Sequence, residues 1–212
     1  MCGFCQGILK SVGRVIVNKG CSAPPFRAMR ERIIPTAYGD VLEVGVGSGH
    51  NLDLYDRERT KTLVGVDPDA KILALARRRA DDLQRHVRLL EGTAEDLPIE
   101  TSSVDTLVAS YLLCTVVDPE RALSEMRRVL RAEGQLIFLE HGASRGRLLP
   151  RIQSRVNGAW KLLAGGCNLT WEPLAALARS GFHVELLADE EFGGRMRFLG
   201  SHVGGIARRA TA

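Results

Sequence analysis

Long apolar runs are missing from this 212-residue chain: none reaches the roughly 18 consecutive residues that a membrane-crossing helix needs. The opening stretch MCGFCQGILKSVGRVIVNKGC reads poorly as a secretory signal, because Lys10 and Arg14 interrupt its apolar segment. A cytoplasmic protein is the expectation. Aromatic residues are scarce, at 5%, and nowhere interleave with a basic stripe. With a formal charge of only +4, no nucleic-acid partner is expected. Arg77, Arg78 and Arg79 precede Asp81 and Asp82 on a helical pattern and read as a solvated face. The five cysteines, Cys2, Cys5, Cys21, Cys114 and Cys167, are odd in number, which argues against a closed disulfide framework. The Cys2–Cys5 pair has no second CxxC to complete four ligands, so no metal is expected and the thiols read as free. Internal repeats and low-complexity tracts are absent too, and the length suits one substantial core.

What is present is a rhythm of strands and helices. Residues 4–16 place Phe4, Ile8, Val12, Val15 and Ile16 on one helical face, with Lys10 and Arg14 off it. Such a segment packs as a flap or lies on a membrane surface, so peripheral membrane contact through residues 4–16 is one expectation. CSAPPFR then reads as a linker, giving an N-terminal segment over 1–35 and one domain over 36–212. Val41–Val44 is the first strand, followed by a helix near Asn51–Arg57. TLVGVD is a second strand, and the helix after it turns Ile72, Leu75, Ala76 and Ala80 inward. VRLLEG and VDTLVAS are further strands. A helix capped by Asp118, opened by Pro119 and stopped by Gly134 directs Leu123, Met126, Val129 and Leu130 to the core. QLIFLEHG is a fifth strand. An amphipathic helix carrying Leu149, Ile152, Val156, Trp160 and Leu163 follows, then a short helix from Thr170 to Gly181. HVELLA and MRFLGSHVGGIA close the fold. Strands separated by helices of this length form a doubly wound, mostly parallel α/β sheet.

The informative stretch is VLEVGVGSGHNL, residues 41–52. Glycine after a first strand lets a ligand approach the backbone closely. A dinucleotide site would use G-x-G-x-x-G, but Gly45, Gly47 and Gly49 follow G-x-G-x-G, and His50 stands where the third dinucleotide glycine belongs. Glu43, two residues before the loop, would repel a pyrophosphate and would accept from an ammonium group. Asp67, ending the second strand, can accept both hydroxyls of a ribose. S-adenosylmethionine has the ribose and the amino acid and lacks a phosphate, so it matches both acids. A nicotinamide-dependent oxidoreductase is the competing reading.

On these residues the chain resembles the class I S-adenosylmethionine-dependent methyltransferases: VLEVGVGSG is similar to their first motif and GVDPD to their acidic second. The resemblance implies a Rossmann-like seven-stranded sheet with an antiparallel closing strand. It implies that Gly45, Val46 and Gly47 lie under the methionine and ribose, Asp67 and Pro68 by the ribose, and Thr93, Ala94 and Glu95 by the adenine. Asn51, Ser110 and Tyr111 would complete the cofactor site beside Glu43. LLCTV, FLEHG, WKLLAGGCNLT and SHVGGIA resemble, more narrowly, the microsomal and lipid-droplet methyltransferase-like proteins, which act as thiol S-methyltransferases. That implies a small lipophilic acceptor, a thiol; phospholipid and quinone methyltransferases share the pattern of the first 140 residues. A non-catalytic S-adenosylmethionine-binding interaction protein is the reading from another class.

For catalysis, His141 at the carboxyl end of the fifth strand is the candidate base, or else orders its loop through a hydrogen bond. His202 on the closing strand is a second candidate. Cys114 reads as a small apolar wall residue and Cys167 as packing. Residues 143–171 interrupt the sheet rhythm and are expected to cover the substrate, with Trp160, Leu163 and Trp171 lining a pocket or the core.

Overall fold

A computed structural model describes residues 22–210 of the chain. Its elements are α1 (Pro24–Ile33), β1 (Gly39–Val44), β2 (Thr60–Asp67), α2 (Ala70–Asp82), β3 (Arg88–Glu91), β4 (Val104–Ser110), α3 (Pro119–Val129), β5 (Leu130–His141), α4 (Leu148–Leu163), α5 (Pro173–Arg179), β6 (Phe182–Glu191) and β7 (Ser201–Arg209). The seven strands form one sheet in the order β3-β2-β1-β4-β5-β7-β6. All neighbours from β3 to β5 pair in parallel, whereas β7 runs antiparallel to both β5 and β6. The expected doubly wound, mostly parallel sheet with an antiparallel closing strand is what forms.

The strands are apolar because both faces are covered. Successive residues point to opposite sides, so Leu42, Leu107 and Phe138 enter one apolar layer with Leu123 and Met126 of α3. Their neighbours Val41, Val108 and Ile137 enter the other with Met29 and Ile33 of α1. The strand order departs in both directions from the β1–β4 pair, which is the topological switch point where open sheets of this kind bind ligands, beyond the carboxyl ends of the strands.

Several local expectations shift. The segment read as a linker is partly helix: Pro24 and Pro25 occupy opening helical positions, and Phe26, Met29 and Ile33 then bury one face. The helix expected near Asn51–Arg57 is a succession of turns, closed by bonds such as Leu52 N–H to Gly49 O (3.2 Å) and Leu54 N–H to Asn51 O (2.9 Å). In α2, Leu73 is buried beside Ala76 and Ala80, while Leu75 faces solvent. Asp118 does cap α3, accepting from Arg121 N–H, but α3 ends at Val129 rather than at Gly134. Leu130 turns extended there to pair with Val104. In α5 the helix opens at Pro173 after Glu172, because the Thr170 hydroxyl is engaged with Asn168 Oδ1 at 3.0 Å. The final strand starts at Ser201, after a 3-10 turn over Gly194–Leu199. The amphipathic segment 4–16 and Cys2, Cys5 and Cys21 lie outside the described residues.

Helix α4 differs most in character. Only Gln153 is buried on it, and its side chain holds the helix down by accepting from Ser144 N–H (2.9 Å) and donating to Phe198 O (2.9 Å). Ile152, Val156 and Leu163 of its apolar face are exposed.

Candidate cofactor site

At the switch point the chain leaves β1 through Gly45 and Gly47, at φ 71° and 54°. Side chains other than glycine resist that left-handed region. A Cβ on Gly45 would also stand 2.8 Å from Leu112 Cδ1. The turn is tied to the end of β2: Gly45 and Val46 N–H both donate to Val66 O, at 2.8 and 3.1 Å. Gly47 N–H donates to Asp67 Oδ2 at 3.1 Å, and Asp69 N–H to the other Asp67 oxygen at 2.9 Å. The second-strand acid therefore shapes the glycine turn as well as facing the crevice.

Glu43 is almost fully buried at the end of β1. Its carboxylate accepts from Asn51 Nδ2 (2.8 Å) and from the Tyr55 hydroxyl (2.7 Å). Burial pushes its carboxyl up to about 7, against the opposing pull of those two hydrogen bonds and of Arg30. A carboxylate offers about four lone-pair directions, so one further donor can be accepted.

At the end of β4, Tyr111 has a positive φ of 54°. Its ring packs edge-on against Phe26 at 5.0 Å and lies 5.2 Å from the Arg30 guanidinium carbon. Arg30 Nε donates to Ser110 Oγ at 3.2 Å. Beneath this loop Glu140, the penultimate residue of β5, accepts from the amides of Leu112 (2.8 Å), Leu113 (2.7 Å) and Cys114 (3.4 Å). Burial raises its carboxyl to about 7, those amides and His141 opposing. After β3, Glu95 is occupied in accepting from Val117 and Asp118 N–H, at 2.9 and 3.3 Å.

These segments enclose a cavity of about 310 Å³. All twelve residues expected to hold the cofactor line it: Glu43, Gly45, Val46, Gly47, Asn51, Asp67, Pro68, Thr93, Ala94, Glu95, Ser110 and Tyr111. His50 lines it as well. Two features were not anticipated. Arg30 is only 3% exposed yet reaches the cavity from α1, and Gly165 brings the segment after α4 to the same wall. The signal for Arg30 was a basic residue one step from Met29 on an amphipathic pattern, hidden because the stretch read as a linker.

The cavity's chemistry matches an amino-acid nucleoside. Acids stand at two adjacent strand ends and, among the described residues, no lysine lines the wall, so a pyrophosphate would meet repulsion. Glu43 can take the ammonium, Arg30 the carboxylate by a charge-assisted contact, and Asp67 the ribose hydroxyls.

The two expected catalytic histidines do not line this cavity. His141 Nε2 lies 3.0 Å from Cys167 Sγ, and its Nδ1 is buried without a partner among the described residues. Burial lowers its basicity, but Cys167 and Glu140 outweigh that and leave it raised. The Cys114 thiol and His141 pull Cys167 down to about 4 despite burial. His202, opposite His141 across the β5–β7 pair, stacks on Phe192 at 4.0 Å, and neither ring nitrogen has a partner among the described residues. Burial and His141 lower it to about 3, so it stays neutral. Of the expected acceptor pocket, Trp171 is core, Trp160 packs on Phe198 at 5.8 Å, and Leu163 faces solvent.

A family described as a methyltransferase domain matches residues 42–138, from β1 to β5. The segment from β1 to β5 is thus similar to that methyltransferase domain. Human thiol S-methyltransferase TMT1A is 33% identical over 162 residues, covering 74% of this chain and 65% of that protein. Phosphatidylethanolamine N-methyltransferase of Cereibacter sphaeroides is 38% identical over 109 residues, covering 50% and 52%. The chain thus spans less than two thirds of the length of these curated relatives. The crystal structure of YcgJ from Bacillus subtilis has the same fold, with a TM-score of 0.70 at 17% identity over 87% of this chain and 97% of that one. The acids, glycine turn and buried arginine of the cavity fit S-adenosylmethionine. Among the described residues no helix is long and apolar enough to cross a membrane.

Proposed function

We propose that this protein is an S-adenosylmethionine-dependent methyltransferase that moves the cofactor's methyl group to the sulfur of a small lipophilic thiol. The carrying observation is the wall formed by Tyr111, Leu112, Thr115, Val116 and Gly165, which is largely apolar, the nearby Glu95 carboxylate being occupied with the Val117 and Asp118 amides. An acceptor bound there needs its own nucleophile. A thiol with a pKa near about 8.5 is already a few per cent thiolate at neutral pH. The cofactor supplies a methyl carbon activated by its sulfonium. The protein's part is to bind, align and exclude water, and such positioning is worth up to about 7–11 kcal/mol. Glu43 and Arg30 hold the amino-acid end, Asp67 and the Gly47 turn hold the ribose, and Tyr111 sets the wall beside the reacting centre. His141 and His202, both off the wall, take no part in this reading. The similarity to human TMT1A supports the thiol.

A second acceptor class, a membrane lipid, is favoured by α4. Residues 142–171 contain no acid and carry Arg145, Arg147, Arg151, Arg155 and Lys161, beside exposed Leu148, Ile152, Val156, Leu162 and Leu163. That is the split of an interfacial helix, and the phosphatidylethanolamine relative agrees with it. The deciding experiment measures S-adenosylhomocysteine formation with alkyl and aryl thiols, and separately with phosphatidylethanolamine vesicles. Turnover confined to thiols supports the proposal. Turnover confined to vesicles replaces it with the lipid reading, and cofactor binding without product in either assay overturns both.

A further inference from the structure

Outside the cofactor cavity, three side chains with soft or borderline ligand atoms converge. Cys114 follows β4, His141 ends β5, and Cys167 lies between α4 and α5. All three are buried, and their ligand atoms lie within 4.8 Å of one another. We propose that Cys114, His141 and Cys167 form a zinc site, with two thiolates and one imidazole as protein ligands and the fourth position open to a small exogenous ligand.

The donor set is one that zinc takes in tetrahedral sites. In a tetrahedral site, bonds of about 2.3 Å to sulfur and about 2.0 Å to nitrogen set ligand atoms roughly 3.5–3.8 Å apart, so modest side-chain rotations from the present spacing, within 4.8 Å, close the cluster around one ion. Two thiols and an imidazole are otherwise an unusual filling for an apolar core that includes Leu113, Ala164 and Trp171. On binding, two protons leave to solvent, one from the Cys114 thiol and one from the His141–Cys167 pair, and the two thiolates neutralise the divalent charge.

The backbone holds these ligands in place without the ion. Asn168 N–H donates to Cys114 O at 2.8 Å, which fixes the two cysteine segments against each other. Glu140 accepts from the amides of residues 112–114 and so fixes the Cys114 loop from below. Gly166, at φ 101°, lets the third segment approach closely, since a Cβ there would stand 2.9 Å from Thr115 O. His141 is set by its pairing with His202 across β5 and β7. The ion would clamp the segment that carries Gly165 onto the strand ends, steadying one wall of the cavity. The assignment is independent of the methyl acceptor.

The test is zinc content of the full chain by elemental analysis, followed by Co²⁺ titration of metal-stripped protein read by absorption. Three forms are compared: parent, the triple variant Cys2→Ser/Cys5→Ser/Cys21→Ser, and the double variant Cys114→Ser/Cys167→Ser. One zinc per chain is expected in parent and triple variant and none in the double, with tetrahedral ligand-field bands and a thiolate charge-transfer band for cobalt. The loss in the double variant should exceed the roughly 10–100-fold that removing an outer-sphere partner costs. Parent protein without zinc and without cobalt bands overturns the proposal. So does metal retained in the double variant, or a Cys114–Cys167 disulfide found by peptide mapping. Should the double variant fail to fold, alkylation of the parent decides. Cys114 and Cys167 must be protected with zinc and modified after chelation, and equal reactivity in both states overturns the site.

Discussion

Glu43 makes the cofactor's affinity a function of pH in a calculable way. Its carboxyl sits at about 7 because burial outweighs the Tyr55, Asn51 and Arg30 contacts. If the ligand's ammonium requires the ionised form, binding is weakened wherever Glu43 keeps its proton. With that value, roughly one site in thirty is ionised at pH 5.5 and about half at pH 7. S-adenosylmethionine affinity should therefore rise more than tenfold, about 1.6 kcal/mol, between pH 5.5 and 7. The window stays below the roughly 8 of an α-amino group, so the ligand remains protonated throughout. Isothermal titration at constant ionic strength reads the effect directly. Glu140, also near 7, titrates in the same range, but its carboxylate faces the amides of Leu112, Leu113 and Cys114. The Glu43→Gln variant separates the two: its affinity should be weak and flat across the window. Parent affinity that is flat or falls from pH 5.5 to 7 would refute the reasoning, as would a Gln variant that keeps the parent's slope.

Other substitutions probe the same frame. Arg30→Met keeps the helix and loses the charged contact, so cofactor affinity should fall by about 1.5–3 kcal/mol, tenfold or more, at nearly unchanged circular dichroism. Gly45→Ala forces a side chain to φ 71° against Leu112, which should lower stability by about 1–2 kcal/mol or more in urea and weaken binding with it. His202→Phe replaces two ring nitrogens that have no partner among the described residues by an apolar ring beside Phe192. Because the folded-state value of His202 is depressed to about 3, its contribution is present above pH 6.5 and lost as pH falls toward 3. Relative to parent, the Phe variant should thus gain about 2 kcal/mol between pH 7.5 and pH 5 in urea titrations, with methyl transfer retained.

Residues whose role is local were legible in the sequence. Gly45 and Gly47 announce a backbone that must turn left-handed, Asp118 with Pro119 announces a helix start, and the apolar runs of β1, β4 and β5 announce strands buried on both faces. Asp67 was legible through its distance from the turn, although its hydrogen bond to Gly47 N–H was not. What failed was decided by tertiary context. Asn51 and Tyr55 spend their side chains on Glu43, and the chain there folds into turns instead of a helix. The spacing of α4 announced an amphipathic helix, but not that a polar anchor, Gln153, holds it while Ile152, Val156 and Leu163 stay in solvent. Arg30, and the meeting of Cys114, His141 and Cys167, depend on segments far apart in the chain, which no spacing rule connects.

The most direct test of the account is the affinity of S-adenosylmethionine for the parent and for Asp67→Ala, by isothermal titration at pH 7 with the fold verified by circular dichroism. The account predicts clear binding to the parent and a loss of tenfold or more in the variant, because the ribose acceptor and the anchor of the Gly47 turn go together. Equal affinity in the two folded proteins would contradict it.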